Sequence, residues 1–308
     1  MILAAGLTPA WQEIYVFDHV APGEVNRAAA VERCASGKVI NVGVALTLLQ
    51  CENRVLSVNG GLAGAALDAD LANLGVDRRW VNVATPTRTC VTMLDRESNQ
   101  ATELVENAGS LTASELASFR DAFADEASAA EFVVLTGSLP TGVPTSFYRQ
   151  LLDRVGCSVL LDVRGPELLA ALNARPLVVK PNREELAATL GRSLETDDGL
   201  LHAMAELNNR GATWVVVSEG KQAVWLRGPG GTFRLQPPHL ECVTNPIGCG
   251  DVLAAGIAAS LVRGAEPREA VRFGIAAAAH SATELLPARF DATKTTAMAA
   301  TIEVSRVN

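Results

Sequence analysis

At 308 residues the chain has material for one large α/β domain or two smaller ones, with an ample core in either case. Hydrophobic residues make up 48% and charged residues 19%, which excludes a disordered chain. The formal net charge of −8 argues against general binding to nucleic acid or an anionic membrane, because both need a cationic surface. Any anionic substrate must therefore meet locally placed arginines and lysines.

Met1 to Ala10 is apolar but lacks a basic leader and soon gives way to polar residues, so it reads as a first strand, Ile2 to Leu7 ended by Thr8-Pro9, rather than a signal peptide. Glu13–Val20 is β-like with Ile14, Val16 and Val20 on one side, and Glu24–Cys34 is extended and mixed in polarity. Ser36-Gly37-Lys38 opens a helix carrying Val42, Ala45, Leu46 and Leu49 at helical spacing. Arg54–Val58 follows as a strand and Gly64–Leu74 as a helix ended by Gly75. Between Arg78 and Val105 only short β-like pieces occur: Trp80–Val83, Thr89–Leu94 and Thr102–Val105. With Glu13–Cys34 they suggest a small sheet separate from the main core, built from lid segments 12–35 and 78–107.

Beyond Thr112 the pattern alternates regularly. Helices are expected at Ala113–Ala127, Thr145–Val155, Glu184–Leu190 and Leu200–Arg210, and strands at Phe132–Leu135, Ser158–Val163, Leu177–Val179 and Trp214–Val217. Apolar strands separated by helices imply a parallel sheet covered on both faces. Ala223–Leu226 and Thr232–Leu235 form a hairpin about Gly228-Pro229-Gly230-Gly231, and an Ala-rich helix at Glu269–Leu285 closes the pattern. No internal repeat or low-complexity linker interrupts it, so a single domain over 1–308 with an inserted lid is the simplest organisation. The apolar run Val252–Val262 falls short of the roughly 20 residues a bilayer span needs. Cys34, Cys51, Cys90, Cys157, Cys242 and Cys249 show no Cys-x-x-Cys spacing, which disfavours a zinc site or disulfide framework and suits a reducing cytoplasm.

Asn245-Pro-Ile-Gly-Cys-Gly-Asp251 carries the clearest chemical signal. Gly248 and Gly250 lie where the next helix starts, and bare backbone there lets a bulky anion approach the free N–H groups and the positive end of the helix dipole. Asp251 beside such a phosphate cradle makes sense as a base for a hydroxyl attacking the phosphate. Equally, Asp251 could cap the helix and the glycines could only make a tight turn.

Gly-Cys-Gly-Asp resembles the Gly-Ala-Gly-Asp signature of the ribokinase/PfkB carbohydrate kinase family, with Cys249 for the usual Ala. Gly137-Ser138-Leu139-Pro140, Lys180-Pro181-Asn182-x-x-Glu185 and Ser218-x-Gly220 are similar to three further family elements, in the same order and each after a strand. The resemblance implies a three-layer α/β/α body with a mostly parallel sheet and a small β lid. It also implies an ATP- and magnesium-dependent kinase, with Asp251 as catalytic base and Gly248, Cys249 and Gly250 as an anion hole. Lys180, Asn182, Ser218 and Gly220 then serve the nucleotide, and Glu185 the magnesium. Asn182 with Glu185 is also the spacing of a reciprocal helix cap, and Ser138 could be only a turn residue before Pro140.

By the same resemblance, Arg27, Lys38 and Arg88 grip an existing substrate phosphate with Ser138, while Gln12, Gly37 and Asn41 contact the sugar. Three cations on one dianion favour a phosphorylated ketohexose, and the lid sequences Thr87–Leu94 and Gln100–Glu106 lean toward tagatose 6-phosphate or fructose 1-phosphate. Gln12 stands where the family has a sugar-binding Asp, and Val39 where its Gly-Gly-Lys-Gly turn has the last glycine, so Val39 is expected to crowd the sugar or forbid a left-handed backbone. The alternatives are a kinase for an unphosphorylated sugar or nucleoside, and a catalytically silent sugar-phosphate binder. Open lid edges suggest a homodimer through the lid.

Overall fold

Residues alternate along the first strand between two apolar layers. Ile2 and Ala4 belong to one core, Leu3 and Ala5 to the other, as a strand buried on both faces requires. The computed structural model describes residues 1–307. Its strands are β1 (Ile2–Ala5), β2 (Ala10–Phe17), β3 (Ala30–Ser36), β4 (Asn53–Asn59), β5 (Arg78–Asn82), β6 (Arg88–Asp95), β7 (Gln100–Val105), β8 (Phe132–Thr136), β9 (Ser158–Asp162), β10 (Val178–Val179), β11 (Trp214–Val217), β12 (Val224–Gly228), β13 (Gly231–Gln236) and β14 (Glu303–Val307). Its α-helices are α1 (Lys38–Leu48), α2 (Gly61–Asn73), α3 (Ala113–Ala129), α4 (Phe147–Leu152), α5 (Gly165–Ala171), α6 (Arg183–Leu190), α7 (Asp197–Asn209), α8 (Cys249–Val262), α9 (Pro267–Ser281) and α10 (Thr295–Thr301).

The main sheet runs β14-β13-β12-β11-β10-β9-β8-β1-β4-β5. Every pairing from β11 to β5 is parallel, and β12, β13 and β14 add an antiparallel edge. Helices α1, α2, α8 and α9 bury Ile40, Leu67, Leu253 and Ile275 on one face. On the other face α3, α4, α6 and α7 bury Phe119, Phe147, Leu186 and Met204. The expected three-layer α/β/α body is therefore what forms. Among the described residues no helix is long and apolar enough to cross a membrane.

A second sheet, β3-β2-β6-β7, pairs β2 with β6 in parallel and its two edges antiparallel. Ile14, Val16 and Leu94 on its inner face rest against Leu285 and Leu286. The expected lid segment 78–107 begins too early. Arg78–Asn82 is β5, the parallel edge of the main sheet beside β4, and only β6 and β7 belong to the lid. A short strand with one apolar residue fully inside carries no signal for which sheet it joins; its pairing with β4 decides that.

Three elements had no expectation. Helix α5 is a seven-residue segment with Pro at its start, α10 is a short run of Thr, Ala and Met, and β14 is an exposed edge strand. Each lacks the apolar periodicity that marked the others. The last long helix ends at Ser281, and Leu285 instead lies in the loop beneath the lid.

Candidate active site

Helix α8 starts at the carboxyl ends of the parallel strands, where ligands collect in open α/β sheets. Gly248 caps it at φ 83°, a left-handed backbone, and a Cβ there would lie 3.1 Å from Asn41 Nδ2 and 3.1 Å from Pro287 Cβ. Both constraints call for glycine. The N–H groups of Asp251 and Val252 return to Gly248 O at 3.0 Å, and that of Cys249 reaches Pro246 O only at 3.4 Å. Gly250 N–H meets no backbone acceptor among the described residues. A Cβ on Gly250 would lie 3.7 Å from Lys180 Nζ. The open amide, the start of a 14-residue helix and a buried ammonium thus converge on one bare strip of backbone, a ready place for a phosphoryl group. Of the three residues expected to donate N–H groups, Gly248 and Gly250 have no acceptor among the described residues, and Cys249 is only loosely engaged.

The Asp251 carboxylate is 6% exposed. Asn41 Nδ2 donates to its Oδ2 at 2.7 Å, and Asn41 Oδ1 accepts from Ser36 Oγ at 3.1 Å. Burial pushes the Asp251 carboxyl up to about 7; Lys38 pulls it back, Asp162 pushes it further, and Asn41 and Lys180 favour the ionised form. A carboxylate of that basicity, beside a phosphate cradle, is suited to accepting a proton near neutral pH.

Asp162, at the end of β9, was not anticipated. It is 1% exposed and ion-paired to Lys180 at 3.1 Å and to Lys38 at 3.3 Å, and it accepts from Thr136 Oγ1 at 3.2 Å. Burial alone would raise its carboxyl, but the two ammonium groups outweigh that and hold it below the usual carboxylate range. Lys38 also faces Glu185 at 3.5 Å. Burial would lower its ammonium, yet Asp162, Asp251 and Glu185 together raise it, so Lys38 stays charged. An acid ending an apolar strand at the ligand-binding face was the available signal for Asp162.

Asn182 and Glu185 form the reciprocal cap of α6: Asn182 Oδ1 accepts from Glu185 N at 2.7 Å and Glu185 Oε2 from Asn182 N at 3.0 Å. Ser218 bridges to Asn182, Gly220 follows at φ 51°, and Arg183 clamps Glu219 at 2.8 Å. The nucleotide-loop candidates are thereby tied to the α6 start. Among the described residues no group of three His, Cys, Asp or Glu could cage a metal. The donor set of Glu185 and Asp162 fits a magnesium ion held mostly by phosphate oxygens and water.

The sugar-side candidates gather around Thr8. Gly37, at φ 92°, would bring a Cβ to 2.9 Å from Thr8 O, and Gly137, at φ 94°, to 2.9 Å from Thr8 Oγ1. Arg88 donates to Thr8 O and Glu106 O, each at 3.2 Å, and its buried Nε has no partner. Ser138 is exposed at the same corner. Gln12 is 2% exposed and donates to Thr92 Oγ1 at 2.8 Å, locking β2 to β6. Val39 is helical and 1% exposed within the core against Gly6, so it neither crowds a sugar nor needs a left-handed backbone.

The three cations of the expected trio have different partners. Arg88 stands at the Thr8 corner, while Lys38 turns to Asp162 and Glu185. Arg27 lies in the exposed loop between β2 and β3, with no ion pair or hydrogen bond among the described residues. The physical reason for Lys38 is the buried Asp162 carboxylate, which draws a second ammonium beside that of Lys180.

Residues 5–290 match the family described as pfkB family carbohydrate kinase. Phosphofructokinase-2 from Escherichia coli, solved with substrates and products, is 27% identical at a TM-score of 0.88, covering 97% of this chain and 98% of that one. The same relative, at 27% identity, has been solved as a tetrameric inhibited form. A structure from Thermotoga maritima, described as a possible 1-phosphofructokinase, has a TM-score of 0.91 at 22% identity and covers 100% of this chain and 99% of that one. Ribokinase from Arabidopsis thaliana, solved with ribose and ATP, has a TM-score of 0.74 at 21% identity over 97% of this chain and 98% of that one.

Proposed function

The chain belongs to the PfkB family of carbohydrate kinases, phosphotransferases with an alcohol acceptor, and from that premise we propose that it phosphorylates a ketohexose phosphate to the bisphosphate at the expense of ATP. Tagatose 6-phosphate and fructose 1-phosphate are the favoured acceptors. The observation that carries the reading is the buried Asp251 carboxylate beside the open Gly250 amide and the Lys180 ammonium. A sugar hydroxyl placed at that point loses its proton to Asp251 as its oxygen bonds to the γ-phosphorus. The bond from that phosphorus to the bridging oxygen breaks, and ADP leaves with the electron pair. Gly250 N–H and Lys180 stabilise the charge on the passing phosphoryl oxygens, which is the main work phosphoryl transfer leaves to a protein. Glu185 and Asp162 would hold a magnesium ion, whose chemistry is to neutralise the phosphate oxygens of ATP.

Arg88 supports an acceptor that already carries a phosphate. Its guanidinium sits at the corner where Gly37 and Gly137 leave bare backbone, and its Nε is unfilled. Guanidinium forks match phosphate oxygens. The isolation of Arg27 favours the second reading, an unphosphorylated sugar. A coupled kinase assay over fructose 1-phosphate, tagatose 6-phosphate, fructose 6-phosphate and ribose separates them. Turnover on ribose alone would remove the phosphosugar reading. Asp251→Asn should bind both substrates while turnover falls at least about a hundredfold, and near-normal turnover would take Asp251 out of its role.

A further inference from the structure

We propose that the body carries a second anion site, remote from the cleft, that takes a compact phosphorylated ligand. It is a cavity of about 670 Å³ between α9, the β12–β13 turn and β14, lined by Arg268, Arg272, Arg306, Glu269 and Phe233. Helix α8 leaves the cleft at Cys249 and runs 14 residues, about 21 Å at 1.5 Å per residue. Helix α9 starts at that far end with Pro267, so the cavity lies at the opposite end of the sheet's strands from Asp251, on the same face.

The charge arrangement is what sets this cavity apart. Four arginines elsewhere each have a close carboxylate: Arg78 meets Asp68 at 2.6 Å, Arg54 meets Asp77 at 2.8 Å, Arg183 meets Glu219 at 2.8 Å and Arg289 meets Asp70 at 3.1 Å. Here three guanidinium groups line one cavity with a single carboxylate. Glu269 is shared between Arg268 at 3.5 Å and Arg272 at 3.4 Å. The local balance is two positive charges in excess, within a chain of net charge −8. Like charges held together without counter-charges cost free energy, and a bound dianion removes that cost.

The groups are also held in place. Arg268 stacks on Phe233 at 5.6 Å, and Arg272 is fixed by Ala299 O and Ala300 O, each at 2.7 Å. Arg306 lies across Gly231, where a Cβ would come within 3.2 Å of Nη2. Glu266, at the start of α9, makes no side-chain cap, so the first-turn N–H groups keep their donor capacity. Fixed guanidinium forks around a roomy opening suit the tetrahedral oxygens of phosphate better than a single carboxylate.

The test is isothermal titration of the full chain with pyrophosphate, in the presence of saturating ATP to occupy the cleft. Binding is expected in the native chain and should weaken about tenfold or more in Arg268→Gln/Arg306→Gln, the loss of charge-assisted hydrogen bonds from two forks. Kinase turnover without pyrophosphate should be unchanged. Both side chains are exposed, and Arg306→Gln alone serves should the pair disturb folding. Equal binding by native chain and variants, or no binding by either, overturns the proposal. So does tight binding of citrate without pyrophosphate, which would make the site one for carboxylates.

Discussion

Asn41 links the sugar side of the cleft to the proposed base. Its amide accepts from Ser36 and donates to Asp251 at 2.7 Å, so it can stabilise only the acceptor form of that carboxylate. Asp251 has a folded-state value near 7, raised first by burial, with Lys38, Asn41 and Lys180 opposing and Asp162 reinforcing. The sign for activity follows: a base must be ionised, so kcat/KM should climb as pH rises through about 7. Asn41→Leu removes one group that favours the ionised form, so this limb should move to higher pH. An unmoved limb, with only KM altered, would confine Asn41 to sugar contact. The sign for stability is opposite. A carboxyl raised above its unfolded value binds its proton more tightly when folded, so its contribution is present at low pH and lost as pH climbs toward about 7. Asp162 behaves in reverse, being held low by Lys180 and Lys38; its contribution fades as pH falls through its depressed value. Asp251 was legible because its chemistry is written in consecutive residues. Asp162 was not, because the lysines that make it important come from the ends of β10 and the start of α1, and sequence distance says nothing of that meeting.

Helices α8 and α9 form the element on which the site is mounted. α8 is apolar on all sides and packs so closely on α9 that a Cβ on Gly256 would lie 2.6 Å from Gly274 Cα. Backbone cannot yield as a side-chain tip can, so Gly256→Ala should destabilise by about 1–3 kcal/mol as an overpacked contact. Gly156→Ala, where a Cβ meets nothing within 4 Å, is the control. Urea unfolding of the two variants measures the difference, and equal midpoints would show that the helices separate freely. The same element shows what pattern alone can reveal. The Ala-rich run predicted a buried helix, and the three-residue spacing of Asn182 and Glu185 predicted a cap that is indeed reciprocal. Neither pattern told that Lys38, at the start of α1, would pair with Asp162 and Glu185. A cation goes where the buried negative charge is, and that charge was invisible until β9 took its place between β8 and β10.

At the scale of the whole molecule, the alternating helices and strands announced the layered body, because each strand had to be apolar on both faces to sit between two helical layers. The lid was harder to delimit, since short strands can join either sheet, and β5 joined the larger one. Every residue of β7 is exposed, including Leu104 at 53% and Val105 at 54%, and Val31 on the opposite edge is 36% exposed. Leu104 pairs with Val91, and Val31 with Tyr15, so these apolar groups share the outer face, while Val105 pairs with Cys90 on the inner one. A strand with apolar groups bare on both sides and an open hydrogen-bonding edge is a surface that a second chain can cover. We propose that two copies associate through their lids. Sedimentation velocity over a range of concentrations should show a dimer, and Leu104→Glu should shift it toward monomer by placing a charge on the covered face. Because Arg88 begins β6, which carries β7, the monomeric variant should also bind a phosphosugar less tightly. A dimer indifferent to Leu104→Glu would place its interface elsewhere on the body and leave the cleft independent of assembly.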